Sequence, residues 1–336
     1  MKIAFFELED WEKGYIAERV HNQDIRYYDV PVAQAPLEEI KDVDIITCFI
    51  YSKLNKELLE KFTNLKLIAT MSTGFDHIDL EYCKEKGIVV CNVPAYGDNT
   101  VAEHAFGLLL NLSKNIHKGY QKTREGDFSY DGLRGFDLKN KTIGVLGTGR
   151  IGQCSIKIAK GFQMNVIAYD PFQKDSLQEE LGFVYKSLDE VLAESDIITI
   201  HVPLLPTTNH LINKEAIDKM KDGVIIINTS RGPLIDTEAL ITGLQTGKVG
   251  GAGLDVLEGE NIVKDELDFI KSHTSYTKEQ LKLVMQDHTL MKMDNVLVTP
   301  HLAFYTKEAL QRILDTTLTN VFDCIEGRDY KHQVNK

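Results

Sequence analysis

Between Lys141 and Thr299, short β-branched and aliphatic runs alternate with longer stretches whose apolar residues recur at helical spacing. That is the pattern of a parallel sheet with crossover helices. The runs that read as strands are Ile143–Gly147, Val166–Asp170, Ile197–His201, Val224–Asn228, Gly250–Asp255 and Val296–Thr299. Residues 1–95 repeat the alternation more weakly, with strands at Lys2–Phe6, Ile25–Asp29, Asp44–Phe49, Leu67–Met71 and Ile88–Asn92. Both halves of the chain are therefore expected to be α/β.

Two long helices mark the boundaries between the halves. Thr100 stands three residues before Glu103, the spacing of a capping box, and opens an apolar run through Leu112. After Tyr305-Thr306, the residues Ala309, Ile313, Leu314, Thr317, Leu318 and Val321 follow helical spacing. The first lobe ends near Val93-Pro94 and the last strand of the second at Thr299-Pro300, so the final helix is expected to return to the first lobe. The reading is an α/β chain of two doubly wound parallel-sheet domains with a cleft between them. One domain is discontinuous, residues 1–98 with 302–336, and the other spans 99–301. No internal repeat or low-complexity tract appears.

Composition narrows the class. The chain has 336 residues, 43% hydrophobic and 26% charged, the size for two domains and the balance of a soluble globular protein. A formal net charge of -12 and the lack of any Lys/Arg block argue against a nucleic-acid partner. Glu7, Glu9 and Asp10 follow the opening apolar run at once, so no signal peptide is read there, and no apolar stretch approaches a membrane span. Cys48, Cys83, Cys91, Cys154 and Cys324 are scattered in mostly apolar surroundings and read as reduced thiols. A cytoplasmic location and no membrane association are expected.

Gly147-Thr148-Gly149-Arg150-Ile151-Gly152 follows one strand directly and opens a helical stretch. In such a loop the first glycine turns tightly, the second lets backbone approach a pyrophosphate, and the third lets helix pack on strand. The helix N-terminus then faces an anion. Eighteen residues after Gly152 the next strand ends in Asp170, whose carboxylate suits the two ribose hydroxyls of NAD and repels a 2′-phosphate. Lys174 is the nearest base. The expected cofactor is NAD, held in a Rossmann-like domain at 99–301, and no metal is expected.

Ligands of open parallel sheets bind beyond the carboxyl ends of the strands. The polar residues found there are Asp170, His201, Asn228 with Arg231, Asp255 with Glu260, and His301. Reducing a 2-keto acid needs a cation for the carboxylate, a proton donor for the carbonyl oxygen and a hydride at the carbon. Arg231 can hold a carboxylate through two hydrogen bonds. His301 can give the proton. Glu260 can bond its second ring nitrogen, with Glu258 competing for that role. His201, in His201-Val202-Pro203, reads as a strand-end residue lining the cofactor pocket.

These motifs resemble the D-isomer-specific 2-hydroxyacid dehydrogenases over essentially the full chain. The resemblance rests on Gly135-Phe136-Asp137-Leu138, Gly147 to Gly152, His201-Val202-Pro203, Asn228-Thr229-Ser230-Arg231-Gly232, Gly253-Leu254-Asp255-Val256 and Thr299-Pro300-His301. It implies a catalytic trio of Arg231, Glu260 and His301, with Asp255, Thr229 and Ser230 beside the cofactor. It implies that residues 1–98 with 302–336 form the substrate domain. There, Ser72-Thr73-Gly74-Phe75-Asp76 would bind the substrate carboxylate through the Thr73 and Gly74 amides, joined by Tyr96 of Val93-Pro94-Ala95-Tyr96, while Phe304 follows the acid histidine.

Those last two segments, with the long stretch Asn261–Asn295, are most similar to the D-lactate dehydrogenase branch. The stretch itself, rich in Lys, Asp and Glu, reads as a solvated surface helix pair without catalytic importance. The partners implied are a small 2-keto or 2-hydroxy acid and a second copy of the chain, with Glu103, His104 and the following helix near the dimer interface. The run Ala105–Leu112 reads equally as an ordinary buried helix. Two alternatives stand beside the lactate reading: reduction of glyoxylate, hydroxypyruvate or a branched or aromatic 2-keto acid, and a non-enzymatic NAD-sensing dimer.

Overall fold

Two all-parallel sheets organise the chain in a computed structural model that describes residues 1–260, 262 and 277–336. Contacts divide it into two units, Met1–Tyr96 with Thr306–Lys336, and Gly97–Tyr305.

In the first unit the strands β1 (Lys2–Phe5), β2 (Asp24–Tyr27), β3 (Ile45–Cys48), β4 (Leu67–Thr70) and β5 (Val89–Cys91) lie in the order β2-β1-β3-β4-β5. β3 and β4 are buried throughout, and each is aliphatic but for one threonine, Thr47 or Thr70, and Cys48. Helix Lys307–Glu326 packs on β4. Thr306 caps it by accepting the Ala309 amide, and its apolar stripe buries Ala309, Ile313, Leu314, Leu318 and Val321. The final residues cover the β5 edge: Gln333 bridges Cys91 antiparallel, Val334 N donates to Val90 O, and the Asn335 side chain bonds Ile88 and Val90.

The second unit carries β6 (Thr142–Leu146), β7 (Asn165–Tyr169), β8 (Val184–Tyr185), β9 (Ile197–Ile200), β10 (Val224–Asn228), β11 (Val249–Leu254) and β12 (Val296–Val298). Their order is β12-β11-β10-β9-β6-β7-β8. The order reverses between β6 and β9, so the loops beyond these two strands form the crevice where such sheets take ligands. Helix Asp98–Lys114 packs against β10, β11 and helix Arg150–Gly161, burying Ala105, Phe106, Leu108 and Leu109.

Several expectations need correction. Helix Asp98–Lys114 starts before Thr100, which lies buried inside its first turn, and Gly97 is the N-cap. The capping-box spacing at Thr100 is therefore coincidental, and Glu103 instead accepts a bond from the Asn99 side chain. Residues 302–305 stay with the second unit because the Leu302 and Ala303 amides donate to Asp255. Strand β8 was not anticipated, being only two residues long at a sheet edge with Val184 exposed. Gly147, Asp170, His201 and Asp255 sit just beyond their strands and not within them. All five cysteines are free. No helix among the described residues is long and apolar enough to cross a membrane.

Candidate active site

The loop after β6 is built by close backbone approaches. Gly147 adopts φ +96°, and a β-carbon there would lie 2.7 Å from the His201 carbonyl oxygen. On Gly152 it would lie 2.0 Å from the carbonyl oxygen of Gly147, a separation no side chain survives. Gly149 is the N-cap of helix Arg150–Gly161, is exposed, and has nothing within 4 Å of its would-be β-carbon. Together these leave an open cradle at a helix N-terminus, the shape and polarity a pyrophosphate requires. Arg150 is exposed beside it and Ile151 half-buried.

Asp170 is tied to this loop. Its Oδ2 accepts from Thr148 N at 2.7 Å and Thr148 Oγ1 at 2.9 Å, and its Oδ1 from Phe172 N at 2.8 Å. The Tyr185 hydroxyl reaches Thr148 Oγ1 at 2.9 Å. Tyr185 sits on the unanticipated strand β8, so no signal in the sequence pointed to it.

His201 is a neutral, half-buried residue. Its Nε2 meets Ser155 Oγ at 2.9 Å and Thr199 Oγ1 at 3.0 Å. Burial pushes its pKa down to about 4, which removes it from acid chemistry near neutrality. Val202 is buried and Pro203 exposed. Of the five buried side-chain polar atoms without a hydrogen-bond partner among the described residues, two, His201 Nδ1 and Thr229 Oγ1, lie just beyond the carboxyl ends of β9 and β10. Unpartnered buried polar atoms are costly, and beside an open glycine cradle they fit a site made to receive a polar cofactor.

Beyond β10, Asn228 shapes the loop that carries Arg231. Its side chain donates to Arg231 O at 2.9 Å and accepts from Ser230 N at 3.0 Å, while Ser230 Oγ donates to Ile200 O at 2.8 Å. Arg231 is half-buried, with Nη1 donating to Ser230 O. Next in the chain, Gly232 is pressed so tightly on the Leu257–Glu258 backbone that a β-carbon would fall 2.1 Å from Leu257 C. The loops after β10 and β11 are therefore locked together, with Arg231 on one and Glu260 on the other.

Glu260 Oε1 lies 2.8 Å from His301 Nδ1, both side chains about one-fifth exposed (21% and 18%). Glu258 is engaged elsewhere, with Oε1 2.7 Å from His210 Nε2 and Oε2 2.7 Å from Thr237 Oγ1. Of the two acids that competed for His301, the geometry selects Glu260. His301 itself is left-handed, φ +54°, an uncommon backbone state for a non-glycine residue.

That conformation is held from all sides. The His301 amide donates to the carbonyls of Asp255 and Thr299, and the Asp255 carboxylate accepts from Thr299 Oγ1 (2.6 Å), Leu302 N (2.9 Å) and Ala303 N (2.8 Å). His104 Nε2 stands 3.4 Å from the same carboxylate and 3.1 Å from Thr299 Oγ1. Burial pushes the Asp255 pKa up, but the bonds from His104, Thr299, Ala303 and Leu302 outweigh it and hold it below the ordinary carboxylate value. Asp255 is thus the clasp of the His301 turn. The Phe304 ring stands edge-on to the imidazole, centroids 6.4 Å apart. A cavity of about 520 Å³ lies against the imidazole, with Asp255, Glu260, Pro300 and His301 in its lining.

Thr73, Gly74 and Tyr96 belong to the first unit. The Thr73 hydroxyl donates to Val93 O and its carbonyl accepts from Asn92 Nδ2, which fixes the loop after β4. Its amide and that of Gly74 have no acceptor among the described residues, as a backbone anion site requires. The Tyr96 carbonyl accepts from Arg312 Nε at 2.6 Å.

Residues 261 and 263–276 of the stretch expected as a solvated helix pair lie outside the described residues. Within the rest, helix Lys278–Lys292 corrects the expectation: Val284, Asp287 and Leu290 are buried. Asp287 reaches the amide of Gly259, next to Glu260.

The sequence profile described as "D-isomer specific 2-hydroxyacid dehydrogenase, NAD binding domain" matches residues 106–303. A 2-hydroxyacid dehydrogenase homolog of Haemophilus influenzae is 40% identical over 335 residues, covering 98% of this chain and 97% of its own length. An aromatic 2-oxoacid reductase of Clostridium sporogenes is 43% identical over 287 residues, 84% of this chain and 82% of its own. The crystal structure of D-lactate dehydrogenase from Aquifex aeolicus, complexed with NAD and lactic acid, superposes with a TM-score of 0.88 at 39% identity, covering 100% of this chain and 99% of that one.

Proposed function

The chain belongs to the D-isomer-specific 2-hydroxyacid dehydrogenase family and is an NAD-dependent oxidoreductase, and from that premise we propose that it interconverts pyruvate and D-lactate in the cytoplasm. The observation that carries the chemistry is the 2.8 Å contact between His301 Nδ1 and Glu260. With Nδ1–H held by that carboxylate, the imidazolium form would deliver its Nε2 proton to the carbonyl oxygen of a 2-keto acid and be left as the neutral Nδ1–H tautomer. Arg231 supplies the planar cation for the carboxylate, and the Thr73 and Gly74 amides supply further donors. When bound, the nicotinamide supplies the hydride. The Gly147–Gly152 cradle, Thr229, Ser230 and the His201–Pro203 segment would hold the cofactor, with Asp170 receiving its ribose. The proposed domain roles follow: Gly97–Tyr305 binds NAD, and the other unit binds substrate.

Lactate is favoured by the full-length likeness to an enzyme crystallised with NAD and lactic acid. The reductase at 43% identity favours a second reading, an aromatic 2-oxoacid as substrate. NADH oxidation against pyruvate, 2-ketoisocaproate and phenylpyruvate, with chiral analysis of the product, tests both. Turnover of pyruvate to L-lactate, or of no keto acid, would defeat the proposal. A homodimer belongs to the same proposal, with exposed Ile116, Tyr120, Phe128 and Tyr130 offering apolar area for a second copy to cover. A monomer in sedimentation velocity at micromolar concentration would remove it.

A further inference from the structure

Asp287 is the least exposed carboxylate of helix Lys278–Lys292, at 0%. One oxygen, Oδ2, accepts the Gly259 amide at 3.0 Å. The other, Oδ1, has no hydrogen-bond partner among the described residues. A carboxyl so enclosed is destabilising by itself and would be replaced without loss by an apolar side chain if it only filled space. Burial pushes its pKa up to about 7; the Gly259 bond opposes that, Glu258 and Glu260 add to it, and His288 subtracts.

Gly259 is shaped for this contact. A β-carbon there would lie 2.7 Å from Asp287 Oδ2 and 3.0 Å from Leu283 Cγ, so a side chain at 259 would push directly against the helix carboxyl. The next residue is Glu260, whose carboxylate orients His301. The Glu260 amide donates to Leu257 O at 3.3 Å, and Ile262 N to Gly259 O. The Asp287–Gly259 bond reaches this loop from a different helix, at the residue before Glu260.

We propose that Asp287 is a positioning residue of the reaction: from a different helix it pins the Gly259 peptide and thereby sets Glu260 against His301. The inference rests on the proton-donor reading of His301. It departs from the expectation that the stretch before β12 is catalytically indifferent, since it makes one buried side chain of that stretch part of the support of the acid.

The test uses Asp287→Ala, which removes the acceptor, Asp287→Asn, whose amide oxygen can still take the Gly259 N–H, and Gly259→Ala, which pushes the carboxyl away from the backbone. Asp287→Ala and Gly259→Ala are expected to lower kcat for keto-acid reduction about tenfold or more, with KM for the keto acid and Kd for NADH unchanged. Their double variant should be no worse than either single one, and Asp287→Asn should stay within about twofold of wild type.

A second readout needs no turnover. In the protein labelled with 15N-histidine, the downfield His301 imidazole proton bonded to Glu260 should broaden or move in the two alanine variants and persist in Asp287→Asn. Unchanged kcat and an unchanged imidazole signal in Asp287→Ala would overturn the inference, as would an Asp287→Asn protein as impaired as Asp287→Ala. If Asp287→Ala does not fold, Gly259→Ala and Asp287→Asn carry the same decision. Failure of the wild type to turn over any keto acid would instead sink the functional proposal, and the imidazole signal would still decide the role of Asp287.

Discussion

Substituting Gly152 and Gly149 by alanine should separate two roles within one loop. At Gly152 the new β-carbon would start 2.0 Å from the Gly147 carbonyl oxygen, where a carbon–oxygen contact needs roughly 3 Å or more. The loop must open by about 1 Å, taking a donor hydrogen bond of about 2.9 Å beyond bonding range. A hydrogen bond to a charged group is worth about 1.5–3 kcal/mol. Losing one to the pyrophosphate weakens NADH binding by roughly tenfold to a hundredfold. The displaced loop also presses on the His201 carbonyl, so the melting temperature should fall. At Gly149 the β-carbon meets nothing and φ is -63°. Gly149→Ala should therefore fold as stably as wild type, yet bind NADH more weakly because the added methyl stands where the cofactor backbone would approach. Titration of NADH fluorescence with calorimetric melting measures both quantities. Wild-type affinity in Gly152→Ala, or a large loss of stability in Gly149→Ala, would show that the cradle geometry has been misread.

Three further outcomes are expected. Glu260→Gln should lower kcat roughly a hundredfold while Glu258→Gln, which disturbs only His210 and Thr237, stays within a few-fold; equal losses in the two would contradict the assignment. Arg231→Lys should raise the keto-acid KM by about tenfold or more with NADH affinity retained, and an unchanged KM would remove the carboxylate clamp. His201 carries a pH signature. Its folded pKa of about 4 lies below the ordinary 6.5, so the neutral form stabilises the fold. That contribution is complete above about pH 6.5 and is lost as pH falls toward 4, up to about 3 kcal/mol in all. Urea unfolding of wild type and His201→Gln at pH 7.5 and 5 should show the variant losing less on acidification, and parallel losses would refute the description of a neutral imidazole held by Ser155 and Thr199.

Sequence pattern located most of what chain-local physics decides. Eleven of the strands were anticipated, most of them from largely buried aliphatic runs and β2 (DIRY) from its place in the α/β alternation, whereas β8, two residues long and partly exposed, has too little pattern to register. Gly147, Gly152 and Asp170 were legible because their spacing along one β-turn-α unit encodes their geometry. Tyr185, Ser155, Thr199 and Asp287 were not, since each acts through a contact made only when distant segments meet. The choice between Glu258 and Glu260 shows the same limit: two carboxylates two residues apart look alike until His210 and Thr237 take one of them. Thr100 errs in the opposite direction, for a valid capping spacing lies inside a helix whose N-cap, Gly97, stands three residues earlier.

The chain leaves the first unit at Tyr96 and returns to it at Thr306, and the returning segment brings both the helix over β4 and the residues that close the β5 edge. During synthesis, residues 1–96 therefore emerge with an apolar sheet face uncovered and a strand edge open, conditions that favour association with other chains. They stay so until the whole of Gly97–Tyr305 has been made. That middle stretch is continuous and can complete its own sheet as it leaves the ribosome. The order of folding should thus invert the order of translation, the unit that begins first finishing last, and nascent chains stalled before residue 306 should be the ones that need a chaperone.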